Sequence, residues 1–324
     1  MKRRDFISKT TKFLTVLVLL FLFTCKNSEN KKLVLNEDVE ASSMFFKISL
    51  AQWSLHNTIR EEGMSPFDFA KEASALDIHA IEYVSQLYKN EVSQLGIEAV
   101  IEKLNTESKK YGVKNLLIMV DGEGNLANNN IDKLNEAVEN HKKWVDAAKT
   151  LGCHSIRVNA HGEGTDLEVM ANAVIGLIKL SEYAKTKGIN VLVENHGGYT
   201  SNGHWLATVI QKVNMPNCGT LPDFGNFCLK GSQSINSEKC ENAYDIYKGV
   251  KELMPYAKAV SAKSYDFDTN GNQPKIDYTK ILQVVKDAGY SGYIGVEYEG
   301  NNLSEKDGIT ATKKLLEKAS KEVK

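Results

Sequence analysis

The sequence predicts a single (β/α)₈ barrel of the TIM type, preceded by an export signal and a short tether. From about residue 45 onward, short apolar runs alternate with longer amphipathic stretches, a pattern typical of parallel strands joined by helices. The alternation repeats eight times over about 280 residues, close to the ~250 residues of one such barrel. An open doubly wound sheet is the alternative. No GxGxxG motif follows the first strand, so we expect no nucleotide cofactor.

The expected strands and helices alternate along the chain. Strands are predicted near residues 47–53, 79–84, 114–120, 154–160, 189–194, 218–222, 257–263 and 293–298. Helices are predicted near residues 66–76, 94–111, 131–151, 166–187, 203–213, 241–254, 277–288 and 305–321. Ser65 and Pro66 suit the N-cap and first residue of a helix. Glycine tolerates the left-handed backbone past a helix end, and four helix ends are followed by one: Gly112, Gly152, Gly188 and Gly289.

The first 25 residues are predicted to be a targeting signal outside the fold. A twin-arginine-like run begins at Arg3 and Arg4, and residues 13–23 are apolar except for Thr15, too short a run for an ordinary spanning helix. Cys25 resembles a lipidation site, and residues 26–44 are polar and typical of a tether. We therefore expect an exported lipoprotein, periplasmic or associated with the outer membrane, held through its N-terminal lipid. The alternative is an uncleaved signal anchor.

The remaining cysteines and the net charge narrow the function further. Cys153 and Cys218 begin predicted strands and suit small buried thiols, whereas Cys228 and Cys240 could form a disulfide in an oxidising compartment. No CxxC spacing supports a zinc ribbon. The formal net charge of −1 lacks the basic excess of proteins that hold a phosphate backbone. We expect no nucleic-acid partner.

Acidic residues follow three of the predicted strands. Functional groups of these barrels lie at the carboxyl ends of the strands, where the sequence has Glu194, Asp223 and Glu297. Carboxylates that converge repel one another, so a cation commonly joins them, and Mn²⁺, Co²⁺ and Mg²⁺ all suit oxygen ligands. Such a metal polarises a sugar carbonyl while a carboxylate moves the proton. The alternative is that each acid caps a helix or pairs with a lysine.

The same segments carry a resemblance to a known family. Residues 46–321 resemble the xylose isomerase-like TIM-barrel superfamily, and most closely the sugar phosphate isomerases and epimerases that include hydroxypyruvate isomerase and tagatose/psicose 3-epimerases. The resemblance lies in residues 193–198 (VENHGG), 222–226 (PDFGN) and 294–297 (IGVE). It implies that Glu194, Asp223 and Glu297 are metal ligands. It also implies that Glu194 and Glu297 face each other across the substrate as an acid/base pair.

Two positions depart from the family pattern. In the seventh predicted strand, residues 257–263, Ser261 stands where the resemblance places a metal-binding His. Asn226 replaces a second His. Metal binding would then be weaker, would recruit His196, or would be lost. Lys263 offers another cation among the three carboxylates and a candidate acid or electrophile. A simple salt bridge at the rim is the alternative role for Lys263.

Other polar and aromatic residues at the strand ends are candidate substrate ligands. The predicted substrate-binding residues are His161, His196, Glu82, Trp53 and Asn226. Tyr83 and Trp53 end strands that reach the same rim, so each could stack on a sugar face. A hydrogen-bonded structural role is the alternative for the histidines, and a core position for the aromatic residues.

The leading functional prediction is an isomerase or epimerase acting next to the carbonyl of a small carbohydrate. Sugar phosphates are chiefly cytoplasmic, so an exported enzyme is expected to act on a non-phosphorylated sugar. A keto-sugar lyase or hydratase on the same fold is the second prediction. A non-catalytic, lipid-anchored glycan-binding protein is the third. Near-neutral charge, export and the missing histidines argue against the AP endonuclease branch of the superfamily.

Overall fold

A computed structural model describes residues 44–324. The predicted export signal, the lipidation site Cys25 and nearly all of the tether lie outside the described residues, and they remain predictions. Within residues 44–324, no helix combines the length and the apolar character needed to cross a membrane.

Eight parallel strands form the main sheet, and two further strands form a hairpin. In chain order the strands are β1 (Lys47–Ala51), β2 (Ala80–Val84), β3 (Lys114–Met119), β4 (Ser155–Val158), β5 (Asn190–Glu194), β6 (Cys218–Leu221), β7 (Cys228–Lys230), β8 (Asn242–Ala243), β9 (Val260–Ser264) and β10 (Tyr293–Tyr298). The main sheet runs β6-β5-β4-β3-β2-β1-β10-β9, and β7 pairs antiparallel with β8. Parallel bridges from Thr220 to Ala257 and from Asp223 to Ser261 join its two edges. The sheet therefore closes on itself, and the predicted barrel fold is confirmed.

Helices follow the barrel strands and cover the outside of the sheet. They are α1 (His56–Arg60), α2 (Phe69–Ala75), α3 (Lys89–Leu95), α4 (Ile97–Lys110), α5 (Ile131–Leu151), α6 (Asp166–Lys187), α7 (Gly203–Val213), α8 (Ile246–Leu253), α9 (Tyr278–Asp287) and α10 (Glu305–Ser320). Short 3-10 helices span Gln52–Leu55, Pro66–Asp68, Ser85–Tyr88, Gly198–Ser201 and Met254–Tyr256.

Local signals in the sequence set several of these boundaries. The Ser65 side chain accepts a hydrogen bond from the Phe67 amide, as predicted for an N-cap. Thr165 and Glu168 form a capping box that starts α6. Gly152 and Gly188 end α5 and α6 in the left-handed conformation, at φ of 74° and 71°.

The core has two layers, because successive strand side chains point to opposite faces. Outward residues such as Val191 and Val193 pack with the helices in the larger layer. A smaller cluster fills the barrel interior and includes Leu117, Leu192 and Leu221. Two residues beyond Leu192 and Leu221 along the chain come Glu194 and Asp223. The alternation that buries the interior cluster thus aims these acids into the mouth of the barrel.

Three features of the structure differ from the elements predicted. The predicted helix 241–254 is wrong for its first residues, because Asn242 and Ala243 pair with β7 and α8 begins at Ile246. The predicted helix 94–111 is interrupted at Gly96, whose φ is 81°. The β7–β8 hairpin was not predicted, since its strands are too short to show a period. A disulfide between Cys228 and Cys240 closes the hairpin loop, while Cys153 and Cys218 are free and buried.

Candidate active site

Three buried carboxylates meet at the carboxyl ends of the strands. Glu194 ends β5, Asp223 follows β6, and Glu297 lies in β10. One oxygen atom from each of the three lies within 4.8 Å of the other two. The backbone N–H groups of Gly225 and Asn226 donate to Asp223 Oδ1 at 2.8 and 2.7 Å, which fixes that side chain. The three acids that the sequence placed on separate strands therefore form one cluster.

Two buried cations lie against this cluster. Arg157 Nε lies 2.7 Å from Glu194 Oε2, and Arg157 Nη1 lies 2.9 Å from Asp121 Oδ1. Lys263 Nζ lies 2.9 Å from Glu297 Oε1 and 3.3 Å from Glu299 Oε1. Burial acts to lower the pKa of Lys263, but the carboxylates around it raise that pKa well above its usual value, so the amine stays charged.

Two cations do not balance all the acids of the site. Burial raises the pKa of Glu194 to about 8; Arg157 opposes the shift, and Glu297 and Asp223 add to it. Burial likewise raises the pKa of Asp223 to about 7, against the effect of Lys263. Both carboxylates are therefore costly to ionise where they stand, and a further positive charge would stabilise their ionised forms.

The two residues that depart from the family pattern donate hydrogen bonds to carboxylates of the cluster. Ser261 Oγ donates to Glu297 Oε2 at 3.1 Å, and Asn226 Nδ2 donates to Glu194 Oε1 at 3.1 Å. Neither side chain offers the ring nitrogen that a metal would take from a histidine. Each instead fixes the direction of the carboxylate beside it.

The residues present fit a divalent cation held by oxygen atoms. Asp223 Oδ2 is buried and has no hydrogen-bond partner among residues 44–324. It belongs to the cluster in which three carboxylates each offer an oxygen atom. This all-oxygen donor set suits Mg²⁺ or Mn²⁺ better than ions that prefer nitrogen or sulfur. Glu194, Asp223 and Glu297 would hold the ion.

A pocket of about 230 Å³ opens beside the cluster and is called the carboxylate pocket below. Glu297, Glu299 and Arg157 line it together with His196 and Trp53. The indole of Trp53 stacks on His56, with ring centroids 4.4 Å apart and planes 5° apart. The lining of the pocket therefore combines charged groups with a fixed aromatic ring.

A family model matches most of the barrel sequence. Residues 70–319 match the family model described as "Xylose isomerase-like TIM barrel". The chain belongs to this family.

Two curated relatives of this xylose isomerase-like barrel match it over short segments. A C-glycoside deglycosidase alpha subunit of Arthrobacter globiformis is 41% identical over 66 residues, which are 19% of this chain and 19% of the relative. A 3'-dehydrocarminate deglycosidase alpha subunit of Microbacterium sp. is 42% identical over 48 residues, 15% of this chain and 14% of the relative. The chain thus matches less than a fifth of the length of either relative.

Solved structures share the whole barrel. A D-allulose 3-epimerase from Methylomonas sp. covers 85% of this chain and 98% of its own, with 15% identity and a TM-score of 0.65. A xylose isomerase-like TIM-barrel protein from Mycobacterium smegmatis, in complex with magnesium, covers 86% of this chain and 97% of its own, with 16% identity and a TM-score of 0.62. At these identities the likeness shows the fold alone.

The other predicted site residues of this xylose isomerase-like barrel occupy different places around the cluster. His196 lines the carboxylate pocket, whereas His161 lines a neighbouring one and contacts the His196 carbonyl oxygen through Nε2 at 3.0 Å. Glu82 is buried within the barrel, where it accepts a hydrogen bond from Ser49 Oγ at 2.7 Å. Tyr83 is buried in the outer core and donates to Asn115, so it takes the core position that the sequence left open as the alternative to a sugar contact. Strand alternation explains this, because Tyr83 points opposite to Glu82.

Sequence reasoning assigned no role to Asp121, Arg157 or Gln233, all of which line the carboxylate pocket. Arg157 carried a usable signal, since the chain has only four arginines and Arg157 lies in a strand. Asp121 comes shortly after β3 and could have been found by the rule that located Asp223. Gln233 had no signal, because it reaches the pocket only through the fold of the disulfide-closed loop.

The buried Glu82 predicts a loss of stability as pH rises. Burial raises the pKa of Glu82 to about 7, with Ser49 opposing and Glu297 adding to the shift. A raised carboxyl pKa contributes stability that is present below the unfolded value near 4.5 and lost as pH rises through about 7. In Glu82→Gln the free energy of unfolding should therefore fall less as pH rises, by on the order of 3 kcal/mol.

The measurement is urea unfolding of metal-free protein between about pH 5 and pH 8. Glu102→Gln, at an exposed position of α4, is the control and should keep the wild-type slope. Equal slopes for Glu82→Gln and wild type would show that the pKa of Glu82 in the folded protein is not raised above its unfolded value.

Proposed function

We propose that this protein is a carbohydrate-acting enzyme, an isomerase or epimerase that works through an enediolate on a non-phosphorylated sugar. The observation that carries the proposal is the pair Glu194 and Glu297, both buried, with carboxylate oxygens within 4.8 Å and a different cation against each. The carboxylate pocket of about 230 Å³ is smaller than the ~300–1,000 Å³ typical for drug-sized ligands. It suits one sugar unit.

Proton transfer is the step that these side chains support. Glu297 lines the pocket, contacts Lys263 and accepts from Ser261, contacts that hold its carboxylate in place as a candidate base. Glu194, with its pKa raised to about 8, can hold a proton near neutral pH when no cation is bound. Two groups whose environments differ in this way can remove a proton and return one. Return to the same carbon from the opposite face inverts that carbon, and return to the neighbouring carbon shifts the carbonyl.

The charge that develops on oxygen also has partners in the site. Lys263 Nζ stays protonated and lies beside Glu297, so it can donate to the oxygen of the reacting carbonyl. A divalent ion held by Glu194, Asp223 and Glu297 would polarise that carbonyl and lower the energy of the enediolate. The Mycobacterium smegmatis barrel was solved in complex with magnesium, which is in keeping with this proposal.

Elimination is the second candidate, and the curated relatives favour it. Both are named as deglycosidases, and one is named for a 3'-dehydro substrate, a keto sugar. After Glu297 takes the proton next to the carbonyl, the electron pair can break the bond between the following carbon and its substituent. That bond is carbon–oxygen in an O-glycoside and carbon–carbon in a C-glycoside, the class for which one relative is named. The products are an unsaturated keto sugar and the released aglycone, which takes up one proton. A hydratase would add water to such an unsaturated keto sugar.

Carbon-bound hydrogen exchange tests the shared step. Candidate ketoses, aldoses and 3-keto glycosides are incubated in D₂O with wild-type protein and followed by NMR. Glu297→Gln and Glu194→Gln should each slow exchange by about 10²-fold or more, because proton transfer by a positioned group contributes ~10²–10⁴-fold. Glu102→Gln is the matched control.

The products of that assay separate the candidates. A deuterated isomer or epimer supports the leading function, and a released aglycone supports elimination. Binding of glycans without exchange, equal in wild type and Glu194→Gln, would overturn both in favour of a binding protein.

Metal occupancy is the next prediction. Protein lacking residues 1–25 should hold about one divalent ion per chain by elemental mass spectrometry, since three carboxylates each offer one oxygen atom to the same place. A Glu194→Gln/Asp223→Asn double variant should lose the ion. Wild type that stays metal-free after incubation with Mn²⁺, Co²⁺ or Mg²⁺ would contradict metal assistance and leave Lys263 and Arg157 as the cations of the site.

We propose further that the protein is an exported lipoprotein anchored through Cys25. The Cys228–Cys240 disulfide supports an oxidising compartment. Cells given a labelled fatty acid should incorporate the label into wild type and not into Cys25→Ser. Label retained in the variant would show that Cys25 is not the lipid site.

A further inference from the structure

A second and larger pocket lies beside the carboxylate pocket. It has a volume of about 720 Å³, and the residues used below to describe it are His161, Gly197, Tyr199, Trp205, Leu229 and Lys230. We call it the outer pocket. The proposed proton transfer uses none of these residues.

The two pockets share no lining residue, but consecutive residues and a small cavity connect them. His196 lines the carboxylate pocket, and the next residue, Gly197, lines the outer pocket. A small cavity of about 100 Å³ has His161 in common with the outer pocket and Asp121 in common with the carboxylate pocket. A sugar in the carboxylate pocket would therefore have a large free space close by in the outer pocket.

An aromatic pair is held in place at the outer pocket. The rings of Tyr199 and Trp205 stack with centroids 5.7 Å apart and planes 22° apart. Trp205 Nε1 donates to Asp166, and Tyr199 Oη donates to the Gly164 carbonyl at 3.1 Å. Trp205 is buried, but Tyr199 keeps 39% of its surface exposed. A fixed and exposed aromatic ring is suited to stacking against another ring.

The polar groups of the pocket favour a neutral ligand. Lys230 is the lysine of the lining, and Glu241 pairs with its ammonium group at 2.5 Å. The Asp166 carboxylate accepts the hydrogen bond from Trp205 Nε1. The amides of Asn202 and Asn242 remain in the lining as groups that can bind hydroxyls.

We propose that the outer pocket binds a neutral ring carried by the reacting sugar, with an apolar face against Tyr199 and hydroxyl groups at its edge. This inference rests on the proposed function and specifies its substrate class: a substituted sugar in place of a free monosaccharide. A phenolic ring and a second pyranose share this chemistry. The disulfide-closed hairpin supplies Leu229 and Lys230, so the cross-link fixes one wall of the site.

Binding without turnover tests the inference independently of catalysis. Methyl, phenyl and glycosyl β-pyranosides of glucose, galactose and mannose are titrated into the full chain by calorimetry. The second sugar of each glycosyl compound is itself a methyl glycoside, so none of the compounds has the free carbonyl that the proposed reaction needs and affinity is measured alone. Phenyl or glycosyl compounds should bind at least about tenfold tighter than the methyl compound of the same sugar, a difference of ~1.4 kcal/mol. The preferred class identifies the ring.

Variants locate the effect. Leu229→Trp should fill the outer pocket and abolish the tenfold preference while methyl glycoside binding stays unchanged. Tyr199→Ala should reduce the preference, and Tyr199→Phe should retain it, because the phenyl ring keeps the stacking face. Leu303→Trp, at an exposed leucine outside both pockets, is the matched control. Near-UV circular dichroism checks that each variant is folded.

The outcomes separate this inference from the proposed function. Equal affinities for methyl and larger glycosides, loss of both by Leu229→Trp, or no binding of any of these compounds would overturn the outer-pocket proposal. A preference that Leu229→Trp abolishes would support it even if the protein exchanged no carbon-bound hydrogen in D₂O. In that case the proposed reaction would fail while the ligand class stood.

Discussion

Incompletely balanced charge at the barrel mouth is the constraint on which the site depends. Glu194, Asp223 and Glu297 are almost fully buried within a few ångströms of one another. Burial of several carboxylates is unfavourable unless cations or hydrogen-bond donors accompany them. Arg157 and Lys263 supply part of that compensation, and burial still raises the pKa values of Glu194 and Asp223 above their usual range. The same deficit that destabilises the ionised site makes it receptive to a divalent ion and suits it to proton transfer.

The two departures from the family pattern have a consistent physical effect. Ser261 and Asn226 donate hydrogen bonds to Glu297 and Glu194, so they orient carboxylates where the resemblance led us to expect histidines. The remaining donor set consists of oxygen atoms, which favours hard cations. Lys263 lies close enough to Glu297 to contribute a fixed positive charge of its own. The chemistry proposed for the site can therefore draw on two sources of positive charge.

The neighbourhood of the site adds a second level of organisation. The hairpin of β7 and β8, cross-linked by Cys228 and Cys240, lies between β6 and α8 along the chain and contributes to both pockets. Gln233 from its loop lines the carboxylate pocket, and Leu229 lines the outer pocket. An insertion of this kind changes what a barrel binds without altering the strands that carry its acids.

The sequence by itself determined the barrel and the three acids, because both depend on a period along the chain. Apolar strands alternate with amphipathic helices, and an acid placed two residues beyond an inward leucine, as in Leu192 and Glu194, must face the same interior. Tertiary structure alone decided which partners those acids have. Arg157 pairs with Glu194 across neighbouring strands, and Lys263 contacts Glu297 and Glu299 together. Side-chain distances of this kind depend on strand register and barrel closure, which no local pattern encodes. The outer pocket is set in the same way, since its walls come from loops and a hairpin that meet only when the barrel closes.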